Sequence, residues 1–390
     1  MVATSVLPDV MGGTERVIAE LGRALQARGH EIAILAPRPR GAARRGDAAI
    51  LRYEDPFLSF GTLYVPSLLL GRAAIRRVVR HWRPDVVHAH QPIAGVAASA
   101  ATGGRSCYTF YGPWHLEFLS EMTKRQDLSA LKQCTRAWWT PAKAGLIRRL
   151  ERRAVRRSGQ LVVLSQFSRR QVATVHGVAD ARVAVIPGGV DTERFVPVAD
   201  RRAARAALSL PSGGPLLFTV RRLVPRMGLE NLLAALASLP DARLVVAGTG
   251  WYRAQLEAIA ARLGVDGRVR FAGFVADDAL PRYYQAADLV VLPSVALEGF
   301  GLITLEALAC GTPVVATPEG GAADVLAPLE PGWLARDAEP ASLIAVIARA
   351  LAGGAGDGAL AARCRAHALG YTWDGIAARY ESLYRRRPAP

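Results

Sequence analysis

The chain has 390 residues, of which 51% are hydrophobic and 21% are charged. This length exceeds one ordinary core and predicts two domains, and the composition excludes a disordered or fibrous protein. The net charge of +16 is compatible with nucleic acid, an anionic membrane surface or an acidic substrate, and does not choose among them.

Neither a membrane anchor nor a disulfide framework is predicted. No apolar run approaches the length of a membrane span, and no signal peptide is evident at the N-terminus. The four cysteines are far apart and form no C-x2-C pair, which favours reduced thiols over disulfides or a zinc site. We therefore expect a cytoplasmic enzyme, with a peripheral position at the inner membrane face as the alternative.

The N-terminal segment reads as a β-loop-α-β unit. Residues 2–7 predict a short strand, a loop containing Gly12 and Gly13 follows, and Thr14 is the expected cap of a helix with apolar residues at helical spacing. Residues 31–37 predict the next strand. A glycine pair before a helix is common in such units and is weak evidence by itself.

Four more apolar segments predict strands, with helical patterns between them: residues 85–90, 106–111, 161–165 and 183–187. Strands that alternate with helices indicate a parallel sheet that binds ligands beyond the carboxyl ends of its strands. His90 and Tyr111 stand at two such ends. His90 is as compatible with a buried strand end as with a ligand contact.

Residues 142–157 predict a strongly basic helix that follows Trp138 and Trp139. Such a helix either lies on an anionic bilayer or presents a solvated face. The two interpretations stay open.

The second half repeats the α/β pattern. The Pro- and Arg-containing stretch 196–215 predicts an interdomain linker, with a boundary near residue 197. A predicted strand then leads to a loop with Arg222 and Arg226, and later strands lead to Gly250 and to Phe274.

Residues 293–317 are the most informative stretch. Glu298 precedes a Gly-Phe-Gly turn, and an apolar helix follows in which Glu306 is the only charged residue. The turn offers backbone N–H groups at a helix N-terminus, which suit an anion such as a diphosphate. A buried carboxylate needs a partner, and we expect a ligand hydroxyl to be the partner of Glu306.

These two glutamates, with seven residues between them, resemble the E-x7-E signature of retaining glycosyltransferases with the GT-B fold, and most closely those of glycosyltransferase family 4. The resemblance implies two Rossmann-like α/β domains whose parallel sheets face each other across a cleft. It implies an acceptor-binding domain at 1–197, a nucleotide-sugar-binding domain at 198–370, and a C-terminal helix at 371–390 that crosses back to the first domain.

The resemblance also implies the site residues. Glu298 contacts the transferred sugar and is catalytic in that sense, Glu306 holds the ribose, and Tyr111 and His90 are candidates for sugar or acceptor contact. The residues implied for donor binding are Gly12, Gly13, Arg222, Arg226, Gly250, Phe274, Val275, Glu298, Gly299, Phe300, Gly301, Leu302 and Glu306. The chain departs from the family at Met227, where a lysine is usual, and at Tyr111, where a histidine is usual.

The implied activity is transfer of a hexose-type sugar from a nucleotide-sugar to a hydroxyl of a glycan, a lipid or a small molecule. A UDP-sugar is favoured as donor, and GDP-mannose is second. We expect no metal or other cofactor, because the chain has no Asp-x-Asp motif and no cluster with metal-ligand spacing. We expect no nucleic-acid partner, and contact with an anionic membrane through the Lys143–Arg157 helix is the further partner considered.

Three other functions are weighed. One is a non-catalytic partner subunit that binds nucleotide-sugar, which Met227 and Tyr111 motivate. Another is a GT-B sugar-nucleotide epimerase, which needs no acceptor. A nicotinamide-dependent dehydrogenase is disfavoured, because the N-terminal glycine loop lacks G-x-G-x-x-G.

Overall fold

A computed structural model describes residues 1–7, 12–38, 50–55, 64–125, 130–354 and 357–386 of the chain. The chain forms two compact units. Unit 1 comprises Met1–Leu119, Ala130–Gly188 and Trp373–Pro390, and unit 2 comprises Ser120–Ser129 and Gly189–Thr372. Every strand pairing among these residues is parallel, so the predicted two-domain parallel α/β architecture is confirmed.

The strands of the described residues are β1 (Ile34–Pro37), β2 (Ile50–Tyr53), β3 (His88–His90), β4 (Cys107–Phe110), β5 (Gln160–Val163), β6 (Val183–Val185), β7 (Leu216–Val220), β8 (Arg243–Ala247), β9 (Val269–Gly273), β10 (Leu289–Leu292) and β11 (Val314–Ala316). The α-helices of the described residues are α1 (Gly13–Ala27), α2 (Tyr64–Trp82), α3 (Pro92–Thr102), α4 (Trp114–Thr123), α5 (Ala130–Arg157), α6 (Gln166–His176), α7 (Arg201–Ala207), α8 (Leu229–Ala237), α9 (Arg253–Arg262), α10 (Leu280–Ala286), α11 (Leu302–Ala309), α12 (Ala322–Leu326), α13 (Pro340–Ala352), α14 (Gly358–Ala368) and α15 (Trp373–Arg385).

A four-stranded sheet of order β3-β4-β5-β6 forms the core of unit 1. Strand β4 is buried throughout, as expected of a parallel strand covered on both faces. Helix α3 packs so close to the sheet that a Cβ at Gly95 would lie 2.9 Å from the side chains of Ala154 and Tyr108. Glycine at this position allows that close approach.

The predicted strand at residues 2–7 is wrong beyond its first residues. Val2 forms single bridges to Leu35 and Ala89, and no strand continues from it. The reason lies in Gln91, whose side-chain oxygen accepts hydrogen bonds from the backbone N–H of Thr4 at 2.7 Å and of Ser5 at 3.3 Å. A side chain thus takes the place that a neighbouring strand would fill.

Helix α15 belongs to unit 1. Its buried face includes Ile376 and Tyr380, and the hydroxyl of Tyr384 lies 2.7 Å from Nδ1 of His88 in β3. Glu381 accepts hydrogen bonds at 2.8 Å from Arg28, which follows α1. The last helix therefore packs on elements from the first quarter of the chain.

Unit 2 contains a five-stranded sheet of order β11-β10-β7-β8-β9. The chain proceeds from β7 through β8 to β9 on one side, and then returns to place β10 and β11 on the other side. The order therefore reverses between β7 and β10. In open parallel sheets the crevice at such a reversal is the usual ligand site.

The units divide between Gly188 and Gly189, whereas the sequence places the boundary near residue 197. Val190 donates its N–H to the carbonyl of Tyr371, and Phe195 is buried within unit 2. The stretch 196–215 is also more than a linker, because Asp200 caps helix α7 within it.

Helix α7 is anchored by Arg205, which is 5% exposed. Its guanidinium pairs with Asp288, and Asp288 also accepts the N–H of Leu216 at 2.7 Å. This pairing fixes α7 to the start of β7 and β10.

Across the described residues, no helix combines the length and the apolar character needed to cross a membrane.

Candidate functional site

The site in unit 2 lies where the strand order reverses. Arg221 directly follows β7, and the loop 293–301 follows β10, so both lie at the carboxyl edge of adjacent parallel strands. Glycines make this edge compact, because a Cβ at Gly248 would lie 1.9 Å from the carbonyl oxygen of Arg221, and a Cβ at Gly228 would lie 1.7 Å from that of Pro293. Glycine at these two positions allows the backbones of neighbouring loops to approach closely, because glycine has no Cβ.

Glu298 is the central carboxylate of this edge. Its Oε2 accepts hydrogen bonds from Nη2 of Arg221 and, at 3.4 Å, from Oγ of Ser294. No described residue forms a hydrogen bond with its other oxygen, Oε1. The backbone of Glu298 bridges to Gly320, where a Cβ would lie 2.7 Å from the Cβ of Glu298.

Strain marks the loop just before Glu298. Leu297 has φ of 61°, in the left-handed region that costs a non-glycine residue about 1–2 kcal/mol. Arg226 holds the loop in that shape, since its Nη1 donates to the carbonyl of Leu297 at 3.3 Å and its own carbonyl accepts from the N–H of Val295 at 3.0 Å. Such strain persists where surrounding structure fixes it.

The arginines of the β7–α8 loop have different environments. Arg221 and Arg226 are 8% and 4% exposed, whereas the side chain of Arg222 is 58% exposed and lies 3.6 Å from Glu121. Burial is the main cause that lowers the pKa of Arg221 from its ordinary value, and the nearby Arg226 lowers it further, while Glu298 opposes the change. Met227 is buried beside these groups.

Helix α11 begins directly after the Gly-Phe-Gly turn. Gly301 has φ of 80° and is its N-cap, with no side-chain hydrogen bond to the first turn. Phe300 is buried, and a Cβ at Gly301 would lie 3.2 Å from Leu292. The first N–H groups of α11, including that of Leu302, therefore have no capping side chain, and such groups can bind an anion.

Glu306 has a partner within the protein that the sequence did not indicate. Its carboxylate is 3% exposed and accepts a hydrogen bond at 2.7 Å from the hydroxyl of Tyr284, which is itself buried. A protein hydroxyl thus donates one hydrogen bond to this buried carboxylate. The residues lie 22 positions apart, and no local pattern in the sequence indicates this contact.

Gly250, Phe274 and Val275 lie at the same edge of the sheet. A Cβ at Gly250 would lie 2.2 Å from the carbonyl oxygen of Leu223, which explains the glycine. Phe274 follows β9 and is 60% exposed, and Val275 is partly exposed. An exposed aromatic ring at this edge offers a surface for stacking.

In unit 1, the glycine loop packs against Glu15, a residue that was not singled out from the sequence. Gly12 and Gly13 are exposed, and a Cβ at Gly12 would lie 2.4 Å from Oε2 of Glu15. Glu15 is buried and accepts a hydrogen bond at 3.1 Å from Gln91. An acidic residue in the first turn of α1 was the signal available for Glu15.

Gln91 follows β3 directly and was also missed. Its φ of 69° is unusual for a residue other than glycine. It joins the N-terminal loop to helix α1 through hydrogen bonds with Thr4, Ser5 and Glu15. Its position at a strand end was the signal in the sequence.

His90 and Tyr111 come together in unit 1. Nδ1 of His90 lies 2.7 Å from the Tyr111 hydroxyl, and Nε2 of His90 is buried without a hydrogen-bond partner among the described residues. Burial lowers the pKa of His88 to about 3 and holds that of His90 well below its usual value. Burial also raises the pKa of Tyr111. These groups are therefore neutral near pH 7.

The predicted basic helix is part of α5. Trp138 has 69% of its surface exposed, while Lys143 lies 5.1 Å from the ring centroid of Phe118. Six arginines of this helix are exposed: Arg148, Arg149, Arg152, Arg153, Arg156 and Arg157. Among the residues that the structure describes, no group of three or more His, Cys, Asp or Glu residues could hold a metal ion.

Two family models match successive parts of the chain. Residues 11–194 match the model described as Glycosyltransferase Family 4, and residues 200–368 match the model described as Glycosyl transferases group 1.

Curated relatives match over less than half of the chain. A D-inositol 3-phosphate glycosyltransferase from Mycobacterium sp. (strain KMS) is 41% identical over 176 residues, which is 44% of this chain and 40% of the relative. The protein of the same name from Mycobacterium bovis (strain BCG / Pasteur 1173P2) is 42% identical over 176 residues, which is 44% of this chain and 36% of the relative. The match spans about two fifths of the length of these relatives.

Solved structures match over almost the whole chain. Sucrose-phosphate synthase from Thermosynechococcus elongatus has a TM-score of 0.81 at 24% identity, with 99% of this chain and 98% of that chain covered. HepE of Anabaena in complex with UDP and glucose has a TM-score of 0.74 at 20% identity, with 99% of each chain covered. At these identities the likeness establishes the fold, which is GT-B.

Proposed function

We propose that the chain is a retaining glycosyltransferase, because it matches the models described as Glycosyltransferase Family 4 and Glycosyl transferases group 1 and has the GT-B fold. It transfers a hexose-type sugar from a nucleotide-sugar to an acceptor hydroxyl. Unit 1, which includes helix α15, binds the acceptor, and unit 2 binds the donor.

The observation that carries this proposal is the arrangement around Glu298. A half-exposed loop presents one carboxylate oxygen and an uncapped helix N-terminus at the switch point of a parallel sheet. The carboxylate stabilises positive charge that develops on the sugar, and the amides of α11 stabilise negative charge on the departing diphosphate. Both kinds of charge arise in one glycosyl-transfer transition state.

The transfer proceeds with retention. The acceptor oxygen bonds to the anomeric carbon on the face from which the diphosphate departs, as the bond between that carbon and the diphosphate oxygen breaks. The acceptor proton passes to the departing diphosphate oxygen. Glu298 orients the sugar, Glu306 holds the ribose, and Arg222 and Arg226 add positive charge for the diphosphate. We propose that the reaction needs no metal or other cofactor.

A UDP-sugar is the proposed donor, with GDP-mannose second. One solved protein of the same fold is described in complex with UDP and glucose, which supports starting with UDP conjugates. For the acceptor, we propose a phosphorylated polyol as the first class to test, because the matching relatives are described as D-inositol 3-phosphate glycosyltransferases. Tyr111 and His90 are the proposed contacts in unit 1.

The experiment that tests donor binding is a thermal-shift panel of UDP, GDP, ADP and their common sugar conjugates. A ligand that binds only the folded state raises the melting temperature by mass action. Stabilisation by one nucleotide class would support a donor site. If none of the nucleotides binds, glycosyl transfer from these donors is refuted. Nucleotide binding with no turnover against any acceptor would favour the partner-subunit alternative instead.

Glu298→Ala then tests the role of the carboxylate. We expect turnover to fall by at least tenfold while the variant stays folded and binds the nucleotide. Glu257→Ala is the matched control, because Glu257 is exposed on α9 and pairs, among the described residues, only with Arg253 one turn away. Unchanged turnover in the Glu298 variant would refute the assignment.

Peripheral membrane contact through Lys143–Arg157 is a separate proposal. The six exposed arginines of this helix and the exposed ring of Trp138 support it. Sedimentation with vesicles of phosphatidylglycerol tests it, and absence of binding at low salt would refute it.

A further inference from the structure

Arg221 lies behind Glu298 rather than beside it. The side chain of Arg221 is 3% exposed and that of Glu298 is 19% exposed. A ligand that reaches this edge of the sheet therefore meets the carboxylate and not the guanidinium. Any effect of Arg221 on the ligand acts through Glu298.

The contacts divide the two oxygens of Glu298 between two tasks. Oε2 receives both protein hydrogen bonds, from Arg221 and from Ser294. Oε1 receives none from the described residues, and the side chain of Glu298 is partly exposed. Arg221 thus fixes the plane of the carboxylate and leaves one oxygen available.

Arg221 is itself held rigidly. Its N–H donates to the carbonyl of Ala247 at 3.0 Å, and Gly248 packs against its carbonyl oxygen. Ser294 is fixed as well, because Thr317 donates to its carbonyl at 2.5 Å. A rigid support of this kind is what a pre-organised site requires.

Arg221 also occupies an unfavourable position for an arginine that serves stability alone. Its Nη1 is buried without a hydrogen-bond partner among the described residues, although most buried polar groups have one. Burial and the nearby Arg226 lower its pKa. Groups kept in costly environments are concentrated at functional sites.

We propose that Arg221 is a positioning residue that orients the Glu298 carboxylate for sugar transfer. This inference rests on the proposed function, in which Glu298 acts on the sugar. A displacement of a catalytic group by about 1 Å can reduce the rate by about a hundredfold. Loss of Arg221 should therefore reduce turnover more than nucleotide binding.

The test compares Arg221→Met with Arg221→Lys. Two quantities are measured: the dissociation constant for UDP, and the rate of UDP release from the panel donor that the wild type turns over. For Arg221→Met we expect turnover per folded molecule to fall by at least about tenfold, with the UDP dissociation constant within about threefold of the wild type. Arg221→Lys keeps the charge and should recover part of the turnover. Arg262→Met is the control for net charge, since Arg262 is exposed at the end of α9.

The outcomes separate this inference from the proposed function. If wild type turns over a donor and Arg221→Met retains turnover within twofold, the inference is overturned and the proposed function stands. If Arg221→Met loses turnover and UDP binding together, a positioning role is also overturned. A wild type that neither binds nor turns over any donor overturns both proposals.

A structural measurement covers the remaining cases. In crystals of Arg221→Met, or of Arg221→Lys if the first variant does not fold, Oε1 of Glu298 should move by about 1 Å or more. An unmoved carboxylate refutes the inference without reference to turnover. The double variant Arg221→Met/Glu298→Gln should fold without recovering turnover, and recovered turnover would refute it as well.

Discussion

Gly228→Ala should distort the proposed donor site and destabilise unit 2. Gly228 joins the loop after β7 to helix α8 and has φ of 71°, in the left-handed region. A Cβ placed there would lie 1.7 Å from the carbonyl oxygen of Pro293, at the end of β10. Because that atom is backbone, no side-chain rotation relieves the clash.

The size of the effect has two parts. The left-handed conformation costs alanine about 1–2 kcal/mol relative to glycine. The clash requires the loop after β7 to move away from Pro293, which breaks the N–H···O bond from Val295 to Arg226 and costs about 1 kcal/mol more for each such bond lost. The free energy of unfolding should therefore fall by about 2–3 kcal/mol, which corresponds to roughly 4–12 °C in melting temperature for a unit of this size.

Two other glycines of unit 2 are matched controls. Gly264 also has a positive φ, of 66°, but nothing lies within 4 Å of its Cβ position, so Gly264→Ala isolates the conformational cost. Gly267 has neither constraint, and Gly267→Ala should be neutral. Thermal and urea melts followed by far-UV circular dichroism measure all three variants. If Gly228→Ala is no less stable than Gly264→Ala, the steric argument is refuted.

Three further predictions follow from buried polar contacts. Tyr284→Phe removes the hydrogen bond to the buried Glu306 and should lower the free energy of unfolding by about 1–3 kcal/mol. Tyr283→Phe is the control, and equal melting curves for the two variants would contradict the prediction. Gln91→Ala removes the side chain that binds the N–H groups of Thr4 and Ser5, and urea melts should show a free energy of unfolding lower by about 1–3 kcal/mol. Unchanged stability would show that other contacts hold the N-terminal loop. The pKa of His88 falls from 6.5 to about 3 on folding, so the unfolded chain binds more protons, and the free energy of unfolding should decline as pH falls from about 6.5 to 3. In His88→Gln the free energy of unfolding should depend less on pH over this range. An unchanged pH dependence would refute the lowered pKa of His88.

Much of the fold was predictable because apolar strands in parallel sheets are continuous in sequence. The segments around β3, β4, β5 and β6 were each identified to within a few residues. The conformation of residues 2–7 was not predicted correctly, because the side chain of Gln91, far away in the sequence, binds this segment in place of a neighbouring strand. Local pattern carries no information on such a contact.

The site shows the same limit. The stretch around Glu298 was singled out as a candidate from its own residues, and the structure places the predicted glycine turn at the start of α11. Which of two adjacent arginines is buried was not predictable, since Arg221 and Arg222 follow one strand and take opposite environments in the loop. The partner of Glu306 was missed because it lies on α10, a different helix.

The membership of α15 in unit 1 has a consequence for synthesis and folding. The first unit cannot bury Tyr380, or give His88 its Tyr384 partner, until residues 373–385 have left the ribosome. Unit 2 consists of the continuous stretch Gly189–Thr372 and the short earlier segment Ser120–Ser129, and so can fold earlier on the nascent chain. The part of the protein made first is therefore the part completed last, and a fragment ending at Gly188 would expose the surface that α15 covers.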